Sequence, residues 1–130
     1  MSKEKPRILL VEDDEFLVQL IAQELNRSGF TELTLVKEGG TVLQKFLEVK
    51  PDIILLDILL PVKSGLEALR EIRATEEGKN AAVIILSNFN DPAYKTQADQ
   101  LHVKDYLIKA NHTMTDIVQK MKEVLATLPA

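Results

Sequence analysis

The chain has 130 residues, a net charge of −4 and a pI near 5.2, which suits one domain with a real core and argues against a broad nucleic-acid footprint. It has no cysteine, which excludes disulfides, thiolate metal sites and cysteine nucleophiles and fits an intracellular setting. Met1 to Pro6 is charged with no apolar region behind it, so no secretory signal is expected, and no apolar run approaches membrane-spanning length.

In chain order, Arg7 is followed by Ile8-Leu9-Leu10-Val11, a short apolar run that reads as a strand. Glu12, Asp13, Asp14 and Glu15 follow at once. Leu17, Leu20, Ile21 and Leu25 then share one helical face, and Gly29 is placed to close that helix. Thr31 to Val36 alternates and reads as a strand nearer an edge. Gly39-Gly40 is a turn, and Val42 to Val49 is a helix ended by Pro51. Ile53 to Leu56 is an apolar, β-branched strand between Pro51-Asp52 and Pro61, with Asp57 at its end. Ser64 is expected to cap the next helix, with Glu67 as capping-box partner and Leu66, Leu69 and Ile72 as its stripe, fading at Glu76-Glu77-Gly78. Ala82 to Leu86 is a fourth strand, ended by Ser87-Asn88. Asp91-Pro92 opens a helix with a thin stripe of Ala93, Ala98 and Leu101. Tyr106 to Ile108 is a fifth strand, ended by Lys109, and a last helix runs from about Thr115 to Leu128.

Strict alternation of buried strands and helices, with no repeat or linker, predicts a single α/β domain over 1–130, its core from about 7 to 128. The expected architecture is a doubly wound, flavodoxin-like (βα)5 fold with a parallel sheet in the order 2-1-3-4-5. That order sets the ends of strands 1 and 3 side by side, so Glu12 and Asp13 face Asp57. Strand 4 brings Ser87 and strand 5 brings Lys109. A carboxylate straight after a buried strand is costly unless it lies at the open edge of the sheet. Carboxylates this close repel one another, and a divalent cation with oxygen ligands, Mg²⁺ or Mn²⁺, resolves the conflict.

Each residue also has a plainer reading. Asp14 suits an N-cap better than a ligand, and Glu12 and Asp13 would complement the helix dipole. Ser87 would serve as a turn cap, Lys109 as a solvated strand-end charge, Tyr106 as core, and His102 and His112 as surface residues. The plainer readings leave unexplained why these groups gather on one sheet edge.

These residues resemble the receiver domain of two-component response regulators over essentially the whole chain. The resemblance is carried by Glu12-Asp13 after strand 1, by Asp57 with Pro61 and Gly65 after it, by Ser87 ending strand 4, and by Tyr106 and Lys109 around strand 5. It implies that Asp57 accepts a phosphoryl group from a histidine kinase or phosphotransfer protein. It implies that Glu12, Asp13, Asp57 and the backbone carbonyl of Leu59 hold Mg²⁺ or Mn²⁺, and that Ser87 and Lys109 bind phosphoryl oxygens. Ser87 and Tyr106 are the implied switch, read out by an effector or a homodimer through the fourth helix, fifth strand and fifth helix. The expected protein is a cytoplasmic signalling domain with self-catalysed transfer and autodephosphorylation, not an enzyme, and it binds neither nucleic acid nor membrane directly. The chain departs from the family at Ala110, where proline is usual after the lysine, at Leu60, at Asn88 and at His102-Val103, which replaces Gly-Ala.

Other functions fit less well. A flavin site wants a phosphate loop after strand 1, where acids stand. An aspartate-nucleophile phosphatase wants a second Asp where Leu59 stands. A receiver used only for docking does not need the intact acids, Ser87 and Lys109. Leu59 and Phe89 flank the expected approach of a hydrolytic water and are both apolar, which predicts a long-lived phosphoaspartate.

Overall fold

The computed structural model describes residues 5–88 and 90–129. The strands are β1 (Arg7–Val11), β2 (Glu32–Val36), β3 (Ile53–Leu56), β4 (Val83–Ser87) and β5 (Asp105–Ile108). The helices are α1 (Glu15–Arg27), α2 (Val42–Val49), α3 (Gly65–Arg73), α4 (Pro92–Gln100) and α5 (Met114–Ala126). All strand pairings are parallel, in the order β2-β1-β3-β4-β5, as expected of a flavodoxin-like sheet.

The two-residue period of a strand sorts the apolar runs onto two faces. Ile8, Leu10, Ile53, Leu55, Ile84 and Leu86 pack with Ile21 and Leu25 of α1 and with Ile117, Val118, Met121 and Val124 of α5. Leu9, Val11, Ile54, Leu56, Val83 and Ile85 pack with α2, α3 and Ala98 of α4. Every residue of β3 is buried, which is why its sequence reads as unbroken hydrophobicity rather than alternation. Cutting Leu55 back to alanine in such a core costs about 2–5 kcal/mol. β2 is half-exposed, in keeping with its place at an edge.

Element ends differ from expectation by a few residues, each for a local reason. Ser28 is the C-cap of α1, and Gly29 follows it at φ 89. There the Phe30 N–H donates to Leu25 O at 2.9 Å and the Gly29 N–H to Asn26 O at 3.0 Å, which closes the helix end. α3 stops at Arg73 because the Thr75 hydroxyl donates to Ile72 O and accepts from the Gly78 N–H, turning the chain before Glu76-Glu77. At its start, Ser64 caps the helix as expected, accepting from the Glu67 N–H at 3.2 Å, but the Glu67 carboxylate meets the Ser64 hydroxyl at 3.5 Å rather than its N–H, so the expected capping box is half formed. α5 begins at Met114 because Thr113 and Asp116 form a full reciprocal capping box. It ends at Ala126, where the Thr127 hydroxyl donates to Val124 O. Two single 3₁₀ turns, Gly39–Thr41 and Lys109–Asn111, complete the elements. Every described peptide bond is trans, Lys109–Ala110 included. His102, standing where the family usually has glycine, takes a φ of 57.

Candidate functional site

Parallel pairing brings all the strand ends to one edge of the sheet. The ladder runs one residue past the strands: the Asp57 N–H donates to Val11 O and the Glu12 N–H to Val36 O, each at 3.0 Å. Those bonds fix Glu12 and Asp57 at the same level at the ends of neighbouring strands. Glu12, Asp13 and Asp57 each offer a carboxylate oxygen, and these atoms lie within 4.8 Å of one another. Glu12 is 1% and Asp57 6% exposed, whereas Asp13 is open to solvent.

Lys109, from the turn after β5, reaches across β4 into the crevice. Its ammonium stands 2.8 Å from Glu12 Oε1 and 3.1 Å from Asp57 Oδ2. The other oxygen of Asp57 accepts the Ile58 N–H at 2.7 Å, and Glu12 Oε2 accepts the Asp14 N–H at 3.1 Å. Three carboxylates thus face one ammonium. Burial, reinforced by the charge of Asp57, pushes the Glu12 carboxyl up to about 7, against the pull of Lys109. Burial alone would lower Lys109, but the bond to Glu12 and the charge of Asp57 outweigh it and hold the ammonium above its ordinary value. The oxygens fit a hard divalent cation in number, type and spacing.

The structure brings Ser87 and Tyr106 together as well. Ser87 is fully buried at the end of β4, and its side chain shares a hydrogen bond with Tyr106. Burial raises the Tyr106 phenol, and the bond to Ser87 partly offsets this. Asp14 proves to be the N-cap of α1, accepting from the Phe16 N–H at 3.0 Å and the Leu17 N–H at 3.2 Å. His102 is exposed and His112 half-exposed; neither belongs to the acidic cluster. Leu59 is 57% exposed, two residues beyond Asp57. Phe89, the other residue expected to flank the water approach, lies outside the described residues.

Two features escaped the sequence reading. The Lys63 N–H donates to Pro61 O at 2.8 Å, making a three-residue turn centred on Val62 at φ 73. A β-branched residue in that region is strained by about 1–3 kcal/mol, and Val62 is 83% exposed. The turn is held down where Gly39 meets it. The Gly39 N–H donates to Pro61 O at 3.0 Å, and a Cβ on Gly39 would lie 1.7 Å from Lys63 O. The second is Arg73, whose guanidinium gathers backbone carbonyls from two segments, the loop before β4 and the end of α4. Val62 is an ordinary strand former and Arg73 an ordinary helix-end cation, so neither carries a signal in the sequence.

The response regulator receiver domain family matches residues 8–122. The chain is 35% identical over 119 residues to YvcP, an uncharacterised transcriptional regulatory protein of Bacillus subtilis, covering 92% of this chain and 48% of YvcP. It is 33% identical over 103 residues to the chemotaxis protein CheY of Listeria monocytogenes, covering 79% and 85%. Among solved structures, it is similar to the receiver domain of the sensor histidine kinase PA1611 from Pseudomonas aeruginosa, which holds a magnesium ion in its active-site cleft. There the TM-score is 0.84 at 29% identity, with 95% and 99% of the two chains covered. The chain thus spans about half the length of YvcP and most of CheY. With its sheet order, its acidic edge and these relatives in agreement, the chain belongs to the response regulator receiver domains of two-component systems.

Proposed function

We propose that Asp57 accepts a phosphoryl group from the phosphohistidine of a sensor histidine kinase or phosphotransfer protein, in a reaction that needs Mg²⁺ or Mn²⁺. One observation carries the reading: the Glu12, Asp13 and Asp57 oxygens lie within 4.8 Å of one another, with the Lys109 ammonium 3.1 Å from Asp57. Asp13 and Asp57 would hold the cation directly, Glu12 through water, and the Leu59 carbonyl would complete the protein's share. When bound, the cation neutralises charge on the phosphoryl oxygens. A carboxylate oxygen of Asp57 attacks phosphorus. The O–P bond forms as the N–P bond breaks, and the electron pair leaves with the imidazole nitrogen. Lys109 offsets the charge of Asp57 as the anionic group arrives, and Ser87 and Lys109 then donate to phosphoryl oxygens.

The same residues supply the readout. Ser87 leaves its bond to Tyr106 for the phosphoryl group, and Tyr106 moves into the space vacated. The face built by α4, β5 and α5 changes with it and meets an effector or a second copy of the chain. The domain acts as a self-catalysing phosphoacceptor that also dephosphorylates itself, with no external substrate turned over. No described helix is long and apolar enough to cross a membrane. A cytoplasmic location, without direct contact to nucleic acid or membrane, goes with this reading.

Labelling from radioactive acetyl phosphate tests the metal-dependent step. The parent chain takes up label with Mg²⁺ and not with EDTA, and Asp13→Ala loses the uptake while keeping its far-ultraviolet circular dichroism. Undiminished labelling of the folded Asp13→Ala chain contradicts the site.

A further inference from the structure

We propose that the turn between β2 and α2 buttresses the loop between β3 and α3, with Gly39 and the Lys63–Glu71 ion pair as positioning residues for the divalent cation. The part played by the cation rests on the phosphoacceptor reading; the buttress does not. The loop starts from Asp57 and carries Leu59, whose carbonyl that reading assigns to the cation. Its base is closed by the Gly65 N–H, which donates to Ile58 O at 2.7 Å. Leu60 is half-buried and packs on the apolar cluster of the α2 and α3 side. Among the described residues, no hydrogen bond holds the backbone of Leu59 or Leu60. Beyond its base and Leu60, the loop is therefore placed by what braces Pro61 to Lys63.

Two braces meet there. The first is backbone against backbone. The Gly39 N–H donates to Pro61 O at 3.0 Å, and a Cβ on Gly39 would lie 1.7 Å from Lys63 O. Only glycine permits that approach. The second is the Lys63 ammonium, which pairs with the Glu71 carboxylate of α3. Pro61 O accepts the Lys63 N–H as well, and this narrow turn puts Val62 at φ 73. A strained residue stays strained only where its surroundings over-determine it. Here Gly39 holds Pro61 before Val62, and Glu71 holds Lys63 after it.

The side chains of Lys63 and Glu71 are 29% and 38% exposed, so their pairing adds little to overall stability. What it fixes is one segment. A cation with few protein ligands loses affinity when one of them must first be ordered. A braced loop is ordered during folding, before the cation arrives.

Two measurements test the proposal. In EDTA, amide hydrogen exchange at Lys63 should speed by about threefold in Glu71→Gln and by about tenfold in Gly39→Ala, with β1 and β4 amides unchanged. Exchange at the parent's rate in both variants overturns the buttress, and Glu71→Gln decides alone where Gly39→Ala does not fold. In Mg²⁺ titrations followed by amide shifts, the Kd should rise by about threefold in Glu71→Gln and in Lys63→Gln. These two variants change the net charge in opposite senses, so a general charge effect would move their affinities apart. The charge-swapped Lys63→Glu/Glu71→Lys chain should recover most of the loss. Opposite changes in the two single variants, or an unchanged Kd beside a lowered stability to urea, overturn the positioning role. A parent with no Mg²⁺-dependent shifts overturns the metal reading and that role with it, and the exchange measurement then decides the buttress alone.

Discussion

Glu12 carries the excess negative charge of the crevice as a retained proton. Its carboxyl sits at about 7 in the folded chain against 4.5 in the open one, because burial and Asp57 together outweigh Lys109. Between those values the folded state binds more protons than the unfolded state, so this group's contribution is greatest below about pH 4.5 and is lost as the pH rises through 7. Glu12→Gln removes the effect. In EDTA, the stability of the variant relative to the parent should rise by roughly 2–4 kcal/mol between about pH 5 and pH 8, measured by urea unfolding. An equal difference at both pH values contradicts it. Leu59 is the second residue with a reading of its own. Its apolar side chain cannot orient a water, so on the proposed reading Leu59→Asn should speed loss of the phosphoryl group by about tenfold at fixed Mg²⁺, read by the decay of labelled protein. Glu12, Asp13, Asp57 and Lys109 could be read from the chain because charged residues directly after buried strands are rare. The bond from Lys109 to Glu12 could not, since topology places both near Asp57 without saying which carboxylate the ammonium prefers.

At the scale of elements, the loop between β3 and α3 is where the site meets the frame. A Cβ on Gly65 would lie 1.9 Å from the Asp57 carbonyl oxygen, and the Gly65 N–H donates to Ile58 O at 2.7 Å. Gly65→Ala must push Asp57 or α3 aside. It should cost about 2 kcal/mol or more in urea unfolding, and labelling of Asp57 should slow in the folded fraction. The cap of α5 is a simpler case. Thr113→Ala should cost about 1 kcal/mol, with labelling unaffected. Strand and helix identities were legible because runs such as Ile53–Leu56 and Ala82–Leu86 fit no helical stripe. The ends were less legible. Thr113-Asp116 and Thr75-Gly78 fix them through hydrogen bonds that leave no hydrophobic period behind. The strained turn at Val62 was invisible for a related reason: its φ is imposed by contact with Gly39, some twenty residues earlier in the chain.

On the scale of the whole molecule, one parallel sheet does two jobs. Its two apolar faces seat α1 and α5 on one side and α2, α3 and α4 on the other. Its carboxyl edge gathers Glu12, Asp13, Asp57, Ser87 and Lys109 from four different strands. On the proposed reading, a displacement at Ser87 travels towards its hydrogen-bonded neighbour Tyr106 of β5 and towards α4, which buries only Ala98. Beryllofluoride should shift amides across α4, β5 and α5, and changes confined to the residues around Asp57 would contradict that coupling. The central claim is that Asp57 is the phosphoacceptor, and intact-mass measurement after incubation with acetyl phosphate and Mg²⁺ tests it most directly. The account predicts one added phosphoryl group on the parent chain and none on Asp57→Asn; a phosphoryl gain on Asp57→Asn, or none on the parent, would contradict it.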